Sequence, residues 1–189
     1  IKTHEDLEAP NIQYHYAPAM IVDHGRTAVW GTGMSCHSCL LRPKSRGEVT
    51  LESADPFADP LIDPNFLSHP DDVKDMVDGY KIMMRVLNQK PFSKYIKEHT
   101  HRPVDINNDS DIELAIREEA DTVYHPVGTC KMGSDEMSVV NDRLKVHNMN
   151  NLRIVDASIM PTLVGGNTNA PTIMIGEKAS DMIKEDWRI

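Results

Sequence analysis

Pro56, Pro60 and Pro64 recur at four-residue spacing in ADPFADPLIDPN, and neither a regular helix nor an inner strand survives that spacing. Each proline lacks an N–H donor and biases the residue before it away from the helical region. The stretch therefore predicts an extended surface loop that divides the 189-residue chain into a strand-like first part and a helical second part. Before it, Ile12, Tyr14 and Tyr16 alternate in NIQYHYAPAMIV (11–22), and Pro18 cuts the pattern, which predicts a bent or edge strand. In SRGEVTLES, Arg46-Gly47 suits a turn, and Val49 and Leu51 alternate with Glu48, Thr50 and Glu52 as in a half-buried strand.

After the loop the period changes. Val73, Met76, Val77, Tyr80, Met83, Met84 and Leu87 recur at three- and four-residue spacing, predicting a helix from about Pro70 to Asn88. Ser68 or His69 is its expected cap, and Asp71 and Asp72 favour its N-terminus. The methionine-rich stripe suits core filling. A second helix is expected from about Asp109 to Thr122, capped by Ser110 with Glu113 as capping-box partner and with Ile112, Leu114, Ala115 and Ile116 as its apolar contacts.

Charge and cysteine usage narrow the function classes. Lys and Arg number 20 against 29 Asp and Glu, a net charge of −9 with no like-charge block, which argues against a nucleic-acid partner. No apolar run approaches the roughly 18 residues that span a bilayer, and no signal-peptide pattern opens the chain, so a soluble polypeptide is expected. Three cysteines do not make a disulfide framework and suit a reducing, cytoplasmic compartment. Cys36 and Cys39 form CHSC, but a structural zinc site needs four ligands and Cys130 is distant in sequence, so no metal site is assigned. The competing functional class is a non-catalytic module that binds a metal or a protein through CHSC.

The stretch TVYHPVGTCKMG (122–133) places His125 between a helix-like run and a Gly-containing loop. Taken alone, the histidine is open to three readings: catalyst, metal ligand or core filler. Its context is more specific. YHPVGTCKMGS followed by VVND, VHNM, RIVDASIMP, GGNTNAPT and GEK, in that order, closely resembles the C-terminal part of the glucose-methanol-choline (GMC) flavoprotein oxidoreductases, above all their choline- and alcohol-oxidising members. The ordered motifs cover about residues 122–184, and SRGEVTLES and DPLIDPNFLSHPDD also resemble the family's substrate-domain strand and loop.

The resemblance implies FAD as cofactor and oxidation of a primary alcohol to an aldehyde by hydride transfer to the flavin. Such a reaction needs a neutral base within hydrogen-bond reach of the hydroxyl, a role a histidine side chain can fill. The matching residue is His125. Counting back from Gly176-Glu177-Lys178, the family's second site residue falls on Asn167, whose amide can donate to a developing alkoxide. Asn169, directly before Ala170-Pro171, suits the cap of a helix over 170–184 that buries Ile173, Met174, Ile175, Ala179 and Met182. Asp156, Ala157, Asn167 and Thr168 are the implied cofactor contacts, with Arg153-Ile154-Val155 as a short buried strand leading to Asp156. Two departures stand out: Asn141 where the family commonly has Asp, and Asn148 where it commonly has Gly. Asn tolerates the left-handed backbone, so the second turn is expected to survive.

No GxGxxG fingerprint or opening βαβ unit occurs in the 189 residues, so the chain resembles a C-terminal portion of a longer enzyme. The expected fold class is α+β, mixed α/β: an antiparallel substrate-domain sheet with flanking helices in residues 1–108, and a segment in 109–189 that completes an FAD-binding domain. The implied partners are a small-molecule alcohol and the N-terminal FAD-binding part of the same enzyme. The family also admits peripheral membrane association or contact with an electron acceptor in the full enzyme.

Overall fold

A computed structural model describes residues 1–99 and 103–188, and the chain within it divides into two units. It is a mixed α/β structure with two small antiparallel sheets. The first unit contains residues 1–45 and 67–121. Strand β1 (Ile12–Ala17) pairs antiparallel with β2 (Ser35–Leu40), from Ile12 opposite Leu40 to Ala17 opposite Ser35. Helix α1 (Pro70–Leu87) packs on this pair, and α2 (Lys90–Ser93) follows it. Gly79 in the middle of α1 explains how closely they meet: a Cβ there would lie 3.1 Å from both Ile12 Cγ1 and Ser38 Oγ. The Tyr14 hydroxyl donates to the Gly79 carbonyl at 2.8 Å across the same contact.

The periodicity of α1 holds where the helix meets a partner. Val73, Val77 and Met83 are buried, and Val73 and Val77 form a cluster with Ile112 and Ile116 of α3 (Asp109–Glu119). Of the two caps expected for α1, His69 is the one used: its Nδ1 accepts from the Asp71 N–H at 3.2 Å. The expected cap of α3 is corrected. Asn108, not Ser110, is the N-cap, and its Oδ1 accepts from the N–H groups of Ser110 and Asp111, so the cap lies two residues before the one the capping box implied while the helix starts at Asp109 as expected. Leu114 is exposed because it lies off the face that meets α1. Asp72, only 3 % exposed, receives N–H groups from Lys44 and Ser45 at 2.8 Å each and ties the end of the first segment to α1. Burial opposes its charge, but these donations and the Ser45 hydroxyl hold the carboxyl below its usual range.

The second unit contains residues 46–66 and 122–189. Strand β3 (Glu48–Thr50) pairs antiparallel with β4 (Leu61–Asp63), a strand that the proline spacing did not lead us to expect. Its three residues fit between Pro60 and Pro64, so the prolines bound the strand and leave its donors intact. The expected half-burial of β3 is not found: all six residues of the ribbon are exposed, since two strands alone cover neither of their faces.

The core of this unit consists of Val140, Leu144, Ile159, Met160, Ile175 and Ala179, with α4 (Asn169–Trp187) supplying the last two. Ile173 and Met174 are exposed instead of buried, because the underside of α4 that meets the core carries Ile175 and Ala179. Arg153–Val155 is not a buried strand: it contributes one isolated bridge, Lys145 to Arg153, and Val155 is exposed. Asn148 has φ 59°, the left-handed conformation expected where the family has Gly. Helix α3 groups with α1 because Ile112 and Ile116 bury against it, and residues 46–66 group with the second unit.

Candidate active site

The backbone around His125 is held in an irregular path by particular residues. The Thr122 hydroxyl accepts from the Tyr124 N–H at 3.0 Å, and Tyr124 takes φ 63°, a conformation uncommon for a residue with a Cβ. Gly128 then turns at φ 90° beside the Met160 carbonyl, a conformation that favours glycine. Beyond it, the N–H of Cys130 donates to the Ser158 carbonyl at 3.0 Å and that of Met132 to the Ile159 carbonyl at 2.8 Å. The TVYHPVGTCKMG segment is thereby stitched to the 3-10 turn Ala157–Ile159, whose Ile159 lies in the core.

From the other side comes the start of α4. Gly165 turns at φ 72°, and Asn167 and Thr168 follow as the chain enters the helix. Asn167 Nδ2 lies 2.9 Å from His125 Nε2, and Thr168 Oγ1 lies 2.8 Å from His125 Nδ1. His125 is half-buried, Asn167 exposed and Thr168 8 % exposed. Both nitrogens of the ring therefore have a partner, one at each edge.

The N-cap of α4 corrects an expectation. Thr168 is the cap residue and Asn169 is the first residue of the helix, yet no side chain caps the helix end. A threonine at this position ordinarily accepts from a first-turn N–H; here its oxygen meets the histidine. The first turn thus presents N–H groups and partial positive charge beside an imidazole, a combination suited to an electron-rich ligand.

Of the other expected site residues, Asp156 is exposed and caps the Ala157–Ile159 turn, accepting from the Ser158 N–H at 2.7 Å. Ala157 is half-buried at the start of that turn. The structure thus gathers His125, Asn167 and Thr168 into one cluster and puts Asp156 and Ala157 on the segment to which the histidine's own loop is bonded. The contact of Thr168 with His125 was missed by sequence reasoning. Thr168 was expected as a cofactor contact beside a cap at Asn169, and nothing local signals that its oxygen meets the histidine.

Cys36 and Cys39 lie three residues apart on β2, so their side chains leave opposite faces of the strand and do not converge on one ion. Burial pushes both thiols up, toward the protonated form that binds metal poorly. Among the described residues no group of three or more His, Cys, Asp and Glu side chains is placed to hold a metal.

A family model described as GMC oxidoreductase matches residues 43–176, which contain the whole of the His125 loop and the start of α4. The chain belongs to the GMC oxidoreductase family. An alcohol dehydrogenase [acceptor] of Pseudomonas putida is 48 % identical over 183 residues, and an oxygen-dependent choline dehydrogenase of Escherichia coli is 42 % identical over 184. Each alignment takes in 97 % of this chain and 33 % of the relative, so the chain spans about a third of the length of these GMC proteins. Among solved structures, a formate oxidase of Aspergillus oryzae studied for modification of its FAD superposes with TM-score 0.89 at 28 % identity, over 95 % of this chain and 32 % of that one. A pyridoxine 4-oxidase from Mesorbium loti superposes with TM-score 0.82 at 28 % identity, over 91 % of this chain and 34 % of that one. The GMC fold of the chain and its family resemblance therefore agree.

Proposed function

We propose that this chain is the C-terminal portion of an FAD-dependent alcohol dehydrogenase, choline dehydrogenase-like, that oxidises a primary alcohol to an aldehyde with His125 as general base. The observation that carries this reading is the pair of contacts on the His125 ring, from Asn167 at 2.9 Å and Thr168 at 2.8 Å. The donor set fits a flavin: the N–H groups of the first turn of α4 have no side-chain cap and begin directly after Asn167 and Thr168. Asp156, Ala157, Asn167 and Thr168 would hold FAD from this side, and the N-terminal part of the enzyme would hold the rest. FAD supplies the hydride acceptor.

The protein side of the reaction follows from the two edges of the ring. His125 Nε2 takes the hydroxyl proton of the alcohol as the C–H bond breaks. Asn167, whose amide donates to that same nitrogen before substrate arrives, shifts its donation to the alcohol oxygen as negative charge builds there. Base and charge stabiliser thus bracket one oxygen atom. The loop and the start of α4 keep them together because each is anchored on the core formed by Val140, Ile159, Met160 and Ile175.

In the full-length flavoenzyme, His125→Ala is expected to slow flavin reduction by roughly 10²–10⁴-fold while bound flavin stays in place. Stopped-flow reduction at the unmodified rate would remove His125 from the role of base. The same full enzyme is the place to identify the acceptor that reoxidises the flavin, whether dioxygen or a membrane-linked carrier.

A further inference from the structure

The partners of His125 differ in polarity, and this difference determines where its proton sits. Asn167 Nδ2 can only donate, so the His125 Nε2 that faces it at 2.9 Å accepts. A neutral imidazole carries one N–H, which then belongs to Nδ1, 2.8 Å from Thr168 Oγ1. The hydroxyl oxygen accepts that N–H and keeps its own hydrogen free to rotate toward another acceptor. Thr168 is only 8 % exposed, so water does not readily take its place.

A second observation comes from α4 itself. Thr168 occupies the N-cap of a 19-residue helix and makes no side-chain capping bond. Loss of such a bond costs about 1 kcal/mol of helix stability. The oxygen that would cap the helix is turned to the histidine instead, and its φ of −91° and ψ of −7° are helical where an ordinary cap is extended. Local helix energetics favour the cap, so the observed position needs a competing bond, and the bond to Nδ1 supplies it.

We infer that Thr168 is a positioning residue that, together with the Asn167 amide at the other edge of the ring, holds His125 in the Nδ1–H tautomer, so that Nε2 presents a lone pair to the alcohol proton once Asn167 shifts its donation to the alcohol oxygen. This rests on the reading of His125 as base. An imidazole free in water favours the other tautomer, with its proton on Nε2, where it would block proton uptake from the substrate. Removing the hydroxyl therefore affects the fraction of enzyme that is competent, and it does so without removing the base.

The test uses the full-length flavoenzyme labelled with ¹⁵N-histidine, with His125→Gln identifying the His125 signals. The expected spectrum has a protonated Nδ1 and an unprotonated Nε2. Thr168→Val should move both signals toward the averaged values of a tautomer mixture and slow flavin reduction about tenfold, the equivalent of roughly 1.4 kcal/mol. Thr168→Ser, which keeps the oxygen, should restore the spectrum and most of the rate. Unmodified enzyme with its proton on Nε2 overturns the inference whether or not the valine variant folds, and so does a valine variant with unchanged signals and rate. The base reading is tested apart from this by His125→Ala: an unchanged rate there removes the base, whereas the ¹⁵N spectrum still decides whether Thr168 sets the tautomer.

Discussion

Gly79 and Asn167 show at the scale of one residue how tertiary contact reverses a local preference. In an exposed helix, Gly→Ala stabilises by about 1 kcal/mol. In α1 the added methyl group would meet Ile12, which is fully buried, and Ser38, at 3.1 Å from each. Overpacking of this kind typically costs about 1–3 kcal/mol. Gly79→Ala is therefore expected to lower the melting temperature, and a raised one would show that β1 and β2 yield more easily than their burial implies. Asn167 and Asn169 make a parallel pair at the candidate site. Asn167 meets His125 Nε2, whereas Asn169 is the first residue of α4 and exposed. Asn167→Ala in the full enzyme should slow flavin reduction by about 10²–10³-fold, the usual loss when one donor to a developing oxyanion is removed. Asn169→Ala should change it little. Equal effects from the two variants would argue that both act through the helix end, with no special role for the amide at 167.

At the scale of the element, helix ends depend on groups that are far away in the chain. Asp186 sits in the last turn of α4, where a negative charge opposes the helix dipole. Lys145 donates to its carboxylate at 2.6 Å, Arg153 binds the same oxygen and Arg143 reaches the other at 2.7 Å. The Lys145 ammonium first, with Arg153 and Arg143, holds the Asp186 carboxyl down to about 2 from its usual 3.8. A depressed carboxyl contributes stability that is fully present above 3.8 and lost as pH falls through about 2. The difference in melting temperature between the native chain and Asp186→Asn should therefore be constant near neutral pH and shrink below pH 4. A difference that stays the same down to the acid limit of folding would mean that the cluster does not anchor the end of α4. The β3–β4 ribbon is the contrasting element, since its exposed Val49, Leu61 and Ile62 gain little from their own pairing.

For the whole molecule, the consequence of spanning about a third of its GMC relatives concerns the cofactor. A dinucleotide's phosphates are ordinarily held at a glycine-rich turn and the helix that follows it, and no GxGxxG occurs in these 189 residues. The chain on its own is therefore expected to purify colourless and to leave flavin fluorescence unquenched at micromolar FAD. A yellow preparation with stoichiometric FAD would place the main cofactor contacts within residues 1–189, contrary to this account. Val155, Val164, Ile173 and Met174 are exposed in the second unit.

What was legible in the sequence was whatever depends on neighbours within a turn or two. The three- and four-residue spacing of Val73, Val77, Ile112 and Ile116 determined α1 and α3, and the ordered motifs from Tyr124 to Lys178 determined the family and singled out His125 and Asn167. Asn148 could be read as left-handed because its short side chain tolerates that conformation. Contacts between distant residues were decided only by the tertiary structure. Helix α3 joins α1 and not the second unit; α4 buries Ile175 and Ala179 but not Ile173 and Met174; β4 forms inside a proline-bounded stretch. The same holds for the candidate site. Asn167 and Thr168 reach His125 across 42 and 43 positions. Periodicity and capping preference act over about four residues, so they assigned the cap to Asn169 and gave no sign that Thr168 meets His125. Only the docking of the His125 loop against the start of α4 offers its oxygen a second donor.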